Sequence, residues 1–357
     1  MLEIFLTIIV PVYKIKEKYL RECLDSLLEQ ESRNFKVIIV DDGSPDNCGE
    51  ICEEYTVNDS RFKVLHQENL GVSEARNNAL RMVDTEWVTF VDPDDWVEKD
   101  YVLTLYHAVK RISADIFLFD YYQEFATKTK KKSLMKYSQK FSDEWVDKFR
   151  MGLFNYLKIN GKYYEYEINT IWDKMYRTSF IKNNNLLFDP DARKGQDAIF
   201  NSECFQCSDQ IFYIHKALYH YRYLQESVTN RFNTKVQYYN EIAFKHYERI
   251  IKKFNLPEKY RDAYYARVST RLYSCMRLFY FHSENQMSKE DVIVTLDATL
   301  NSYPYNIALQ NVKYKNLTVT QKIFVFCVKK RAYTMLRILV NGRQTLKELG
   351  GFKLKGN

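Results

Sequence analysis

The chain has 357 residues, of which 46% are hydrophobic and 28% are charged, and its net charge is +7 at pH 7. These values are ordinary for a globular protein, and they exclude a chain that is largely disordered. No apolar stretch reaches the roughly 18 residues that a membrane-spanning helix needs. Seven scattered cysteines, with no secretory signal ahead of them, predict a reduced protein of the cytoplasm.

Strand-like and helix-like segments alternate through the first third of the chain. In chain order the pattern predicts a strand at 4–10, a helix at 19–28, strands at 37–40 and 61–65, a helix at 73–82 with Ser73 as its N-cap, and strands at 87–91 and 115–119. This alternation predicts an α/β fold with a Rossmann-like, mainly parallel sheet flanked by helices. Ligand-binding residues are then expected at the carboxyl ends of the strands.

An acidic segment follows the predicted strand at 87–91. Asp92 and Asp94 flank Pro93, and Asp95 follows directly. Because Asp92 and Asp94 are alternate residues around a stiff bend, their carboxylates can converge on a hard cation that bridges two phosphates. The alternative interpretation is a solvated acidic turn that caps the next helix.

A second polar segment follows the predicted strand at 37–40. Asp41 and Asp42 lead into the turn Gly43-Ser44-Pro45, where backbone can come close to a ligand and a carboxylate can accept a hydrogen bond from a base. The sequence contains neither a Walker-type lysine loop nor a Gly-x-Gly-x-x-Gly run. Phosphate charge must then be neutralised by a cation and by dispersed basic groups. Taken alone, the segment also suits a plain turn before a helix cap.

These segments together resemble the inverting glycosyltransferases of family 2, which have the A-type nucleotide-diphospho-sugar-binding fold. The matching motifs are LTIIVPVYKIKEKYLRECLDSLLEQ, VIIVDDGSPDNC, ENLGVSEARNNAL and WVTFVDPDDWVEKDY, followed by WDKMYRTSF, FDPDARKGQDAIFN and YHYRYLQESVTN. The later motifs resemble bacterial capsule, exopolysaccharide and protein-glycan transferases. The resemblance predicts a catalytic domain at residues 1–232, with a mostly α-helical C-terminal extension at 233–357.

The resemblance implies a binding site for a UDP-sugar donor. The implied residues are Pro11, Tyr13, Asp41 and Asp42 around uracil and ribose, Asn69, Gly71 and Arg76 completing the donor site, and His220 and Arg222 near the diphosphate. Asp92 and Asp94 form the family's Asp-x-Asp motif, with Asp92 at the ribose or metal and Asp94 at the metal. The ion would be Mn²⁺ or Mg²⁺, and it would neutralise the leaving diphosphate. A structural salt bridge is the alternative role for Arg76, and a core histidine is the alternative for His220.

The resemblance also implies a base that takes the proton of the acceptor hydroxyl as it attacks the anomeric carbon. Asp197 matches that catalytic aspartate, whereas Gln196 replaces the commoner glutamate and removes one charge. The alternatives are a plain helix N-terminal role for Asp197 and a catalytic role for the nearby Asp189 or Asp191. Trp172 and Gln196 are expected at the acceptor, where the tryptophan ring would stack on a sugar. Core packing is the alternative for Trp172.

The C-terminal region is basic and periodic. From Lys322 onward it has nine Lys or Arg against the single acid Glu348. Apolar residues spaced by three or four from Phe324 to Leu339 predict one amphipathic helix, in peripheral contact with a membrane or packed on the core. The helical patterns at 238–254 and 263–281 suggest a homodimer interface or an acceptor-side lid. No nucleic-acid-binding signature accompanies the basic residues, so no nucleic-acid partner is predicted.

The sequence therefore predicts a metal-dependent, inverting glycosyltransferase that moves a sugar from a UDP-sugar to a hydroxyl of a glycan acceptor. The predicted acceptor is a lipid-linked oligosaccharide of capsule or surface polysaccharide synthesis, reached in the cytoplasm or at the inner face of the cytoplasmic membrane. A protein-linked glycan on a surface adhesin is the alternative acceptor. A non-catalytic, sugar-nucleotide-binding scaffold subunit is the alternative function; Gln196 favours it, and the retained Asp94 and Asp197 oppose it.

Overall fold

A computed structural model describes residues 3–155, 158–159, 162–163, 166–223 and 231–348. Contacts divide the chain into two compact units, Met1–Gln225 and Glu226–Asn357. The sequence predicts this boundary slightly later, at residue 232. Each unit is described separately below.

The first unit contains all the strands of the described residues. The strands are β1 (Leu6–Val12), β2 (Phe35–Asp41), β3 (Phe62–His66), β4 (Trp87–Phe90), β5 (Trp96–Val97), β6 (Ile116–Phe125), β7 (Lys128–Lys132), β8 (Gln139–Lys140), β9 (Lys158–Ile159), β10 (Lys162–Tyr163), β11 (Lys174–Arg177) and β12 (Ile211–Arg222). Its helices are α1 (Glu17–Leu28), α2 (Cys48–Asn58), α3 (Val72–Met82), α4 (Tyr101–Arg111), α5 (Asp143–Phe154), α6 (Thr178–Asn183) and α7 (Gln196–Cys207).

Ten of these strands form one sheet in the order β3-β2-β1-β4-β11-β6-β12-β5, with β7 paired to β6 and β8 paired to β12. β3, β2, β1 and β4 are parallel, which confirms the prediction for the first third of the chain. β11 is antiparallel to both β4 and β6, so the sheet is mixed rather than mainly parallel. Both neighbours of β11 are distant in sequence, so no local crossover helix dictates its direction.

The middle of the sheet is buried on both faces. Every residue of β1 and β4 is buried, because helices cover both sides and the inner strands can be continuously apolar. The parallel order has a direct consequence for function. The carboxyl ends of β1, β2 and β4 lie at one edge of the sheet, and the polar segments predicted from the sequence follow these three strands.

The start of α3 differs from the prediction. Gly71, not Ser73, is the N-cap, and its φ of 92° and ψ of 159° lie in a region that only glycine populates readily. Ser73 is buried inside the first turn of the helix. The predicted N-cap was therefore wrong because a glycine with an unusual backbone, rather than a capping hydroxyl, ends the preceding loop.

The second unit is helical throughout its described residues. Its α-helices are α8 (Val236–Lys253), α9 (Glu258–Cys275), α10 (Lys289–Asn301), α11 (Tyr305–Asn311), α12 (Val319–Lys329) and α13 (Tyr333–Glu348), with a π-helical turn at Met276–Tyr280 and a short 3-10 turn at Tyr314–Asn316. Apolar residues of α8 and α9, such as Phe244, Ile250 and Leu272, are buried within this unit. The homodimer predicted through these two helices stays a prediction.

The single helix predicted from residue 324 to 339 is in fact two helices. Arg331, with φ at +53°, separates α12 from α13 and changes the direction of the backbone. Phe324 is buried as predicted, but Met335 is 51% exposed, and Leu336 and Val340 form the buried side of α13 instead. Within the described ranges, every helix is too short or too polar to cross a membrane. Residues 349–357 of the predicted basic tail lie outside those ranges.

Candidate functional site

The acidic loop, residues 92–95, connects β4 to β5 at the carboxyl edge of the sheet. Asp95 is fully buried and accepts hydrogen bonds from the Tyr219 hydroxyl and from the backbone N–H of Arg222, both at 2.7 Å. Asp92 and Asp94 are partly exposed. Asp95 thus fixes the loop to β12, and its two neighbours are left to meet a ligand.

Two carboxyl groups of the acidic loop, those of Asp94 and Asp95, have raised pKa values. Burial raises the pKa of Asp94 to about 6, and the negative charge of Asp92 adds to the shift. Burial also raises the pKa of Asp95 well above its ordinary value. A divalent cation beside Asp92 and Asp94 would reverse this effect, since opposite charge favours the ionised form.

Asp92 and Asp94 fit a hard divalent cation by their chemistry. Carboxylate oxygens suit Mg²⁺ and Mn²⁺, and such ions are commonly held by one or two carboxylates together with substrate phosphates. Among the described residues, no group of three His, Cys, Asp or Glu side chains is placed to hold a metal ion. The remaining ligands would therefore have to come from the diphosphate and from water.

Arg76 joins the acidic loop to the predicted catalytic base. This guanidinium is 3% exposed; its Nη1 donates to Oδ1 of Asp197 at 2.8 Å, and its Nη2 donates to Oδ1 of Asp92 at 2.9 Å. The Phe188 ring lies 5.3 Å from the guanidinium carbon. A buried arginine bound to two carboxylates fixes both in space. The predicted salt bridge is present, and both of its partners are candidate site residues.

Asp197 lies in the first turn of α7, after the left-handed Gly195. Burial raises the pKa of Asp197, and the Arg76 guanidinium opposes that shift in part. Asp191 donates its backbone N–H to the Asp189 carboxylate in the preceding turn. Of the three competing carboxylates, Asp197 is the one that Arg76 connects to the acidic loop.

Asp42 organises the loop before α3. Its carboxylate accepts hydrogen bonds from the backbone N–H groups of Leu70 and Gly71, each at 2.8 Å, and from Nε2 of Gln67 at 2.7 Å. Asn69 is exposed in this loop. Asp42 therefore positions Asn69 and Gly71, which the sequence assigns to the same donor site.

Asp41 is connected to a histidine that received no role from the sequence. Oδ2 of Asp41 lies 3.0 Å from Nδ1 of His66, and Nε2 of His66 lies 2.8 Å from the Glu53 carboxylate. Glu53 and then Asp41 raise the pKa of His66. Asp41 and His66 are register partners in β2 and β3, so pairing of the two strand ends was the signal that could have revealed this contact.

The end of β1 lies beside Asp41. Pro11 is buried and pairs with Val40, whereas Tyr13 follows the strand and is 46% exposed. The ring of Tyr13 is thus accessible at the edge where the polar segments meet. Pro11, Tyr13, Asp41 and Asp42 are close neighbours across the ends of β1 and β2.

Arg222 supports the acidic loop through its side chain as well as its backbone. Its Nε donates to the backbone carbonyl of Asp94 and its Nη2 donates to the Glu22 carboxylate, both at 2.7 Å. The rings of Tyr19 and Trp96 lie 4.4 and 4.5 Å from the guanidinium carbon. Arg222 therefore positions the acidic loop, and its predicted contact with the diphosphate stays a prediction.

His220 is also engaged by the protein itself. Its ring stacks between Trp96 and Tyr122, at centroid distances of 4.8 Å on each side. Nδ1 lies 2.8 Å from the Glu124 carboxylate and Nε2 lies 3.2 Å from the Glu98 carboxylate. Because both ring nitrogens have carboxylate partners, the structure favours the packed histidine over the predicted contact with phosphate or metal.

Trp172 does not form an exposed acceptor wall. The ring is 2% exposed and stacks on Tyr219 and Tyr221, at centroid distances of 4.5 and 5.4 Å. The predicted stacking on a sugar is corrected by this burial, and core packing is the observed role. Gln196 is partly exposed beside Asp197 at the start of α7, so its acceptor role stays a prediction.

Arg193 is a residue of this edge that the sequence analysis did not identify. A Cβ atom built on Gly71 would lie 2.4 Å from Nη1 of Arg193, so the exposed guanidinium packs directly on the glycine. This contact places a cation next to the loop that Asp42 organises. No spacing in the sequence signals it, because residues 71 and 193 belong to distant segments.

Replacing Gly71 with Ala is expected to destabilise the protein by about 2–3 kcal/mol and to weaken UDP binding. The reason is that an alanine strains the backbone at this positive φ and its Cβ displaces Arg193. Gly195→Ala is the matched control. Gly195 also has a positive φ, at 76°, but no heavy atom lies within 4 Å of an added Cβ. It should cost only about 1 kcal/mol and leave UDP binding intact. Equal effects of the two variants in thermal unfolding with and without UDP would contradict this prediction.

Asp92, Arg76 and Asp197 thus form one hydrogen-bonded cluster at the carboxyl edge of the sheet. The chain belongs to glycosyl transferase family 2, whose sequence profile matches residues 7–184, about half of the chain. The resemblance stated from the motifs is thereby confirmed.

Curated relatives are bacterial glycosyltransferases. The chain is 35% identical over 232 residues to the glycosyltransferase GlyA of Streptococcus pneumoniae serotype 4, covering 64% of this chain and 32% of GlyA. It is 32% identical over 232 residues to EpsH of Bacillus subtilis, named a putative glycosyltransferase, covering 64% of each chain. The chain thus spans about a third of GlyA and less than two thirds of EpsH.

A solved structure shares the fold. Residues 1–349 of S. aureus TarS, crystallised in complex with UDP-GlcNAc, superimpose with a TM-score of 0.66 at 18% identity, covering 96% of this chain and 92% of that one. At this identity the likeness supports the fold alone. It confirms an A-type glycosyltransferase fold followed by a helical C-terminal part.

Proposed function

We propose that the protein is a metal-dependent, inverting glycosyltransferase that transfers a sugar from a UDP-sugar to a hydroxyl of a glycan acceptor. The observation that carries the proposal is the buried Arg76, which holds the Asp-x-Asp carboxylate of Asp92 and the Asp197 carboxylate on either side of one guanidinium. Displacement of a diphosphate requires a base close to a metal site, and the bridge formed by Arg76 supports this pairing of roles.

The donor is proposed to be a UDP-sugar bound at the carboxyl edge of β1, β2 and β4. Support comes from the grouping of Tyr13, Asp41 and Asp42 at that edge, and from the UDP-GlcNAc complex of TarS. Asp41, together with Pro11, would contact uracil, and Asn69 and Gly71 would complete the site. The sugar itself is not specified by these contacts.

Asp92 and Asp94 are proposed to hold Mn²⁺ or Mg²⁺ with the donor diphosphate. The ion would act as a Lewis acid that stabilises the charge of the leaving UDP. Asp95 and Arg222 contribute indirectly, because they fix the loop that carries the two ligands.

Asp197 is proposed to accept the proton of the acceptor hydroxyl as that oxygen attacks the anomeric carbon from the face opposite the UDP. Burial raises the pKa of Asp197, which makes its carboxylate a stronger base than an exposed aspartate. Arg76 holds the carboxylate in place and keeps it ionised before the acceptor arrives. Gln196 could donate a hydrogen bond to the acceptor from the adjacent position.

Thermal unfolding with a panel of nucleotides tests this proposal directly. UDP and UDP-sugars with Mn²⁺ should stabilise the protein, by about 2.7 kcal/mol at 100 times the dissociation constant. GDP, TDP and their sugars serve as controls for the base. Stabilisation by GDP or TDP but not by UDP would contradict the donor assignment. No stabilisation by any of them would contradict a nucleotide-sugar site in this protein.

Metal-dependent binding of UDP is expected to strengthen as pH rises through about 6. Asp94 has a pKa of about 6, so below this pH it is protonated and cannot ligate the ion. Calorimetry with UDP and Mn²⁺ between about pH 5 and pH 7.5 measures the effect, and Asp94→Asn should lose it.

Without metal, the pH dependence that Asp94 gives to the folding stability has the opposite sign. The folded state holds this proton more tightly, so the contribution of Asp94 falls as pH rises from about 4 to about 6.

The acceptor is proposed to be a lipid-linked oligosaccharide at the inner face of the cytoplasmic membrane. Support for membrane contact comes from an exposed apolar stripe on α12. The stripe consists of Val319, Ile323 and Phe326, which lie on one face of the helix. Lys322 is exposed on the same helix, and Lys330 is exposed directly after its last residue. An apolar stripe bordered by lysines is complementary to an anionic lipid surface.

A double variant of the stripe, Ile323→Glu with Phe326→Glu, is expected to reduce sedimentation with phosphatidylglycerol vesicles at least about fivefold, since each change removes apolar contact and adds repulsion. Val294→Glu, an exposed position on α10, is the matched control and should bind as wild type. Equal binding of all three proteins would contradict the membrane contact. Transfer only to a protein-linked glycan would favour the alternative acceptor.

A further inference from the structure

The second unit contains a cleft of about 390 Å³ between the end of α8, the start of α9 and the start of α11. Three tyrosines, one carboxylate and aliphatic side chains line it: Glu248, Leu256, Tyr264, Tyr265, Tyr303 and Ile307. A volume of this size suits a small ligand, and the mixture of apolar walls with few polar groups is typical of binding sites. The motifs of the family lie in the first unit, so they assign nothing to this cleft.

Glu248 is the polar centre of the cleft. The hydroxyls of Tyr264 and Tyr303 both donate to Oε1 of Glu248. Both contacts fall on this one oxygen, and neither involves the second oxygen, Oε2. Burial, followed by the hydrogen bond to Glu248, raises the pKa of the Tyr264 hydroxyl, which therefore stays a donor. The carboxylate is fixed by two tyrosines and retains one oxygen for a ligand that can donate a hydrogen bond.

The tyrosine rings supply flat faces around that carboxylate. Tyr303 is 61% exposed, Tyr265 is partly exposed, and Tyr264 is buried at the base. The face of an aromatic ring carries negative charge from its quadrupole. It attracts the weakly positive C–H face of a pyranose, whose hydroxyl rim can donate to a carboxylate. We propose that this cleft binds a pyranose residue of a glycan.

Other ligand classes match the cleft less well. A fully anionic ligand would leave Glu248 without an attractive partner, whereas Lys252 and Arg261 at the lining can meet single acidic substituents of a sugar. An apolar peptide side chain would cover Oε2 without a hydrogen bond, which costs free energy at a buried acceptor. A neutral sugar can stack on the tyrosine rings and can also donate a hydrogen bond to the carboxylate.

The site stands on its own contacts and does not depend on the chemistry proposed for the first unit. If the protein transfers sugars to a growing glycan, a pyranose bound here would belong to a part of the acceptor away from the reacting hydroxyl. Such a contact would lower KM for long acceptors more than for short ones, because binding of a non-reacting segment adds to affinity.

Saturation-transfer NMR on the full chain, without UDP or metal, tests the inference. The probes are methyl β-glucopyranoside, methyl β-galactopyranoside, methyl N-acetyl-β-glucosaminide, cellobiose and chitobiose. In the wild-type protein, saturation should be transferred to at least one of these probes, which shows that the probe binds. Tyr303→Leu, which removes the ring from an exposed position, should weaken the binding of that probe by about two- to tenfold. Tyr303→Phe keeps the ring and should retain most of the binding, and Glu248→Gln should weaken it.

The outcomes separate this inference from the proposed transfer. Asp94→Ala should bind the same glycoside as wild type, whether or not the enzyme is active. No saturation of any probe in wild type, or equal binding by wild type and Tyr303→Leu, would overturn the assignment. Stronger saturation of N-acetyl-leucine amide than of every glycoside would overturn it in favour of a peptide site.

Discussion

Replacing Asp197 with Asn is expected to lower kcat for sugar transfer about a thousandfold, within the usual range for loss of a general base. The asparagine oxygen can still accept the hydrogen bond of Arg76, so the geometry of Asp92 and the acidic loop should persist. The loss should therefore appear in kcat, while the dissociation constant for UDP with Mn²⁺ stays unchanged. Steady-state transfer assays and calorimetry measure the two quantities separately.

Asp191→Asn is the matched control for this variant. Asp191 is an exposed carboxylate of the loop that precedes α7, and its loss should leave kcat close to wild type. Comparable losses in both variants would indicate disturbance of the loop rather than removal of a base. Normal transfer by Asp197→Asn would contradict the role of Asp197.

Replacing Asp94 with Ala is expected to remove the metal-dependent part of UDP binding and to lower kcat/KM about a thousandfold, since Lewis-acid stabilisation contributes several kcal/mol. The variant should fold, because Asp95 and Arg222 hold the loop through other atoms. Without metal it should even gain stability above about pH 6, where wild type carries the costly ionised Asp94.

The measurement for Asp94→Ala is thermal unfolding with UDP in the presence of Mn²⁺ or of a chelator. Asp209→Ala, which removes an exposed carboxylate of the same unit, is the control and should keep the full metal-dependent shift. Wild-type stabilisation by UDP that is equal with metal and with chelator would contradict a metal site at the acidic loop.

The parallel part of the sheet, and the edge at which its polar segments meet, could be predicted because both follow from local patterns. Apolar strands alternating with helices indicate parallel pairing, and parallel strands bring the residues after β1, β2 and β4 to one edge. Asp41, Asp42, Asp92 and Asp94 were therefore located without any long-range information. The carboxyl-edge rule says where ligands bind in such sheets, whereas it cannot say which carboxylate meets which group.

Contacts between distant segments could not be predicted in the same way. Arg76 and Asp197 are separated by 121 positions, and no periodicity relates the two. His220 and Arg222 are alternate residues of β12, so they share one face, but the sequence did not reveal that β5 and its Trp96 cover that face. Trp172 shows the same limit, because an aromatic residue near a site can equally well face the core.

In the C-terminal helices, the conformation of a single residue made a prediction from apolar periodicity wrong. The spacing of apolar residues continues across Arg331, so one long helix was predicted. The positive φ of Arg331 ends α12 and starts α13 in a new direction. The exposed face of α12 then differs from the predicted one, and its apolar stripe became visible only in the structure.

The stereochemistry of transfer tests the central claim most directly. With a UDP-α-sugar selected by thermal unfolding and a panel of soluble glycoside acceptors, proton NMR of the new anomeric centre reports its configuration. A β-linked product, formed by wild type and lost in Asp197→Asn, is the predicted result. An α-linked product would show retention of configuration and contradict a single displacement assisted by Asp197.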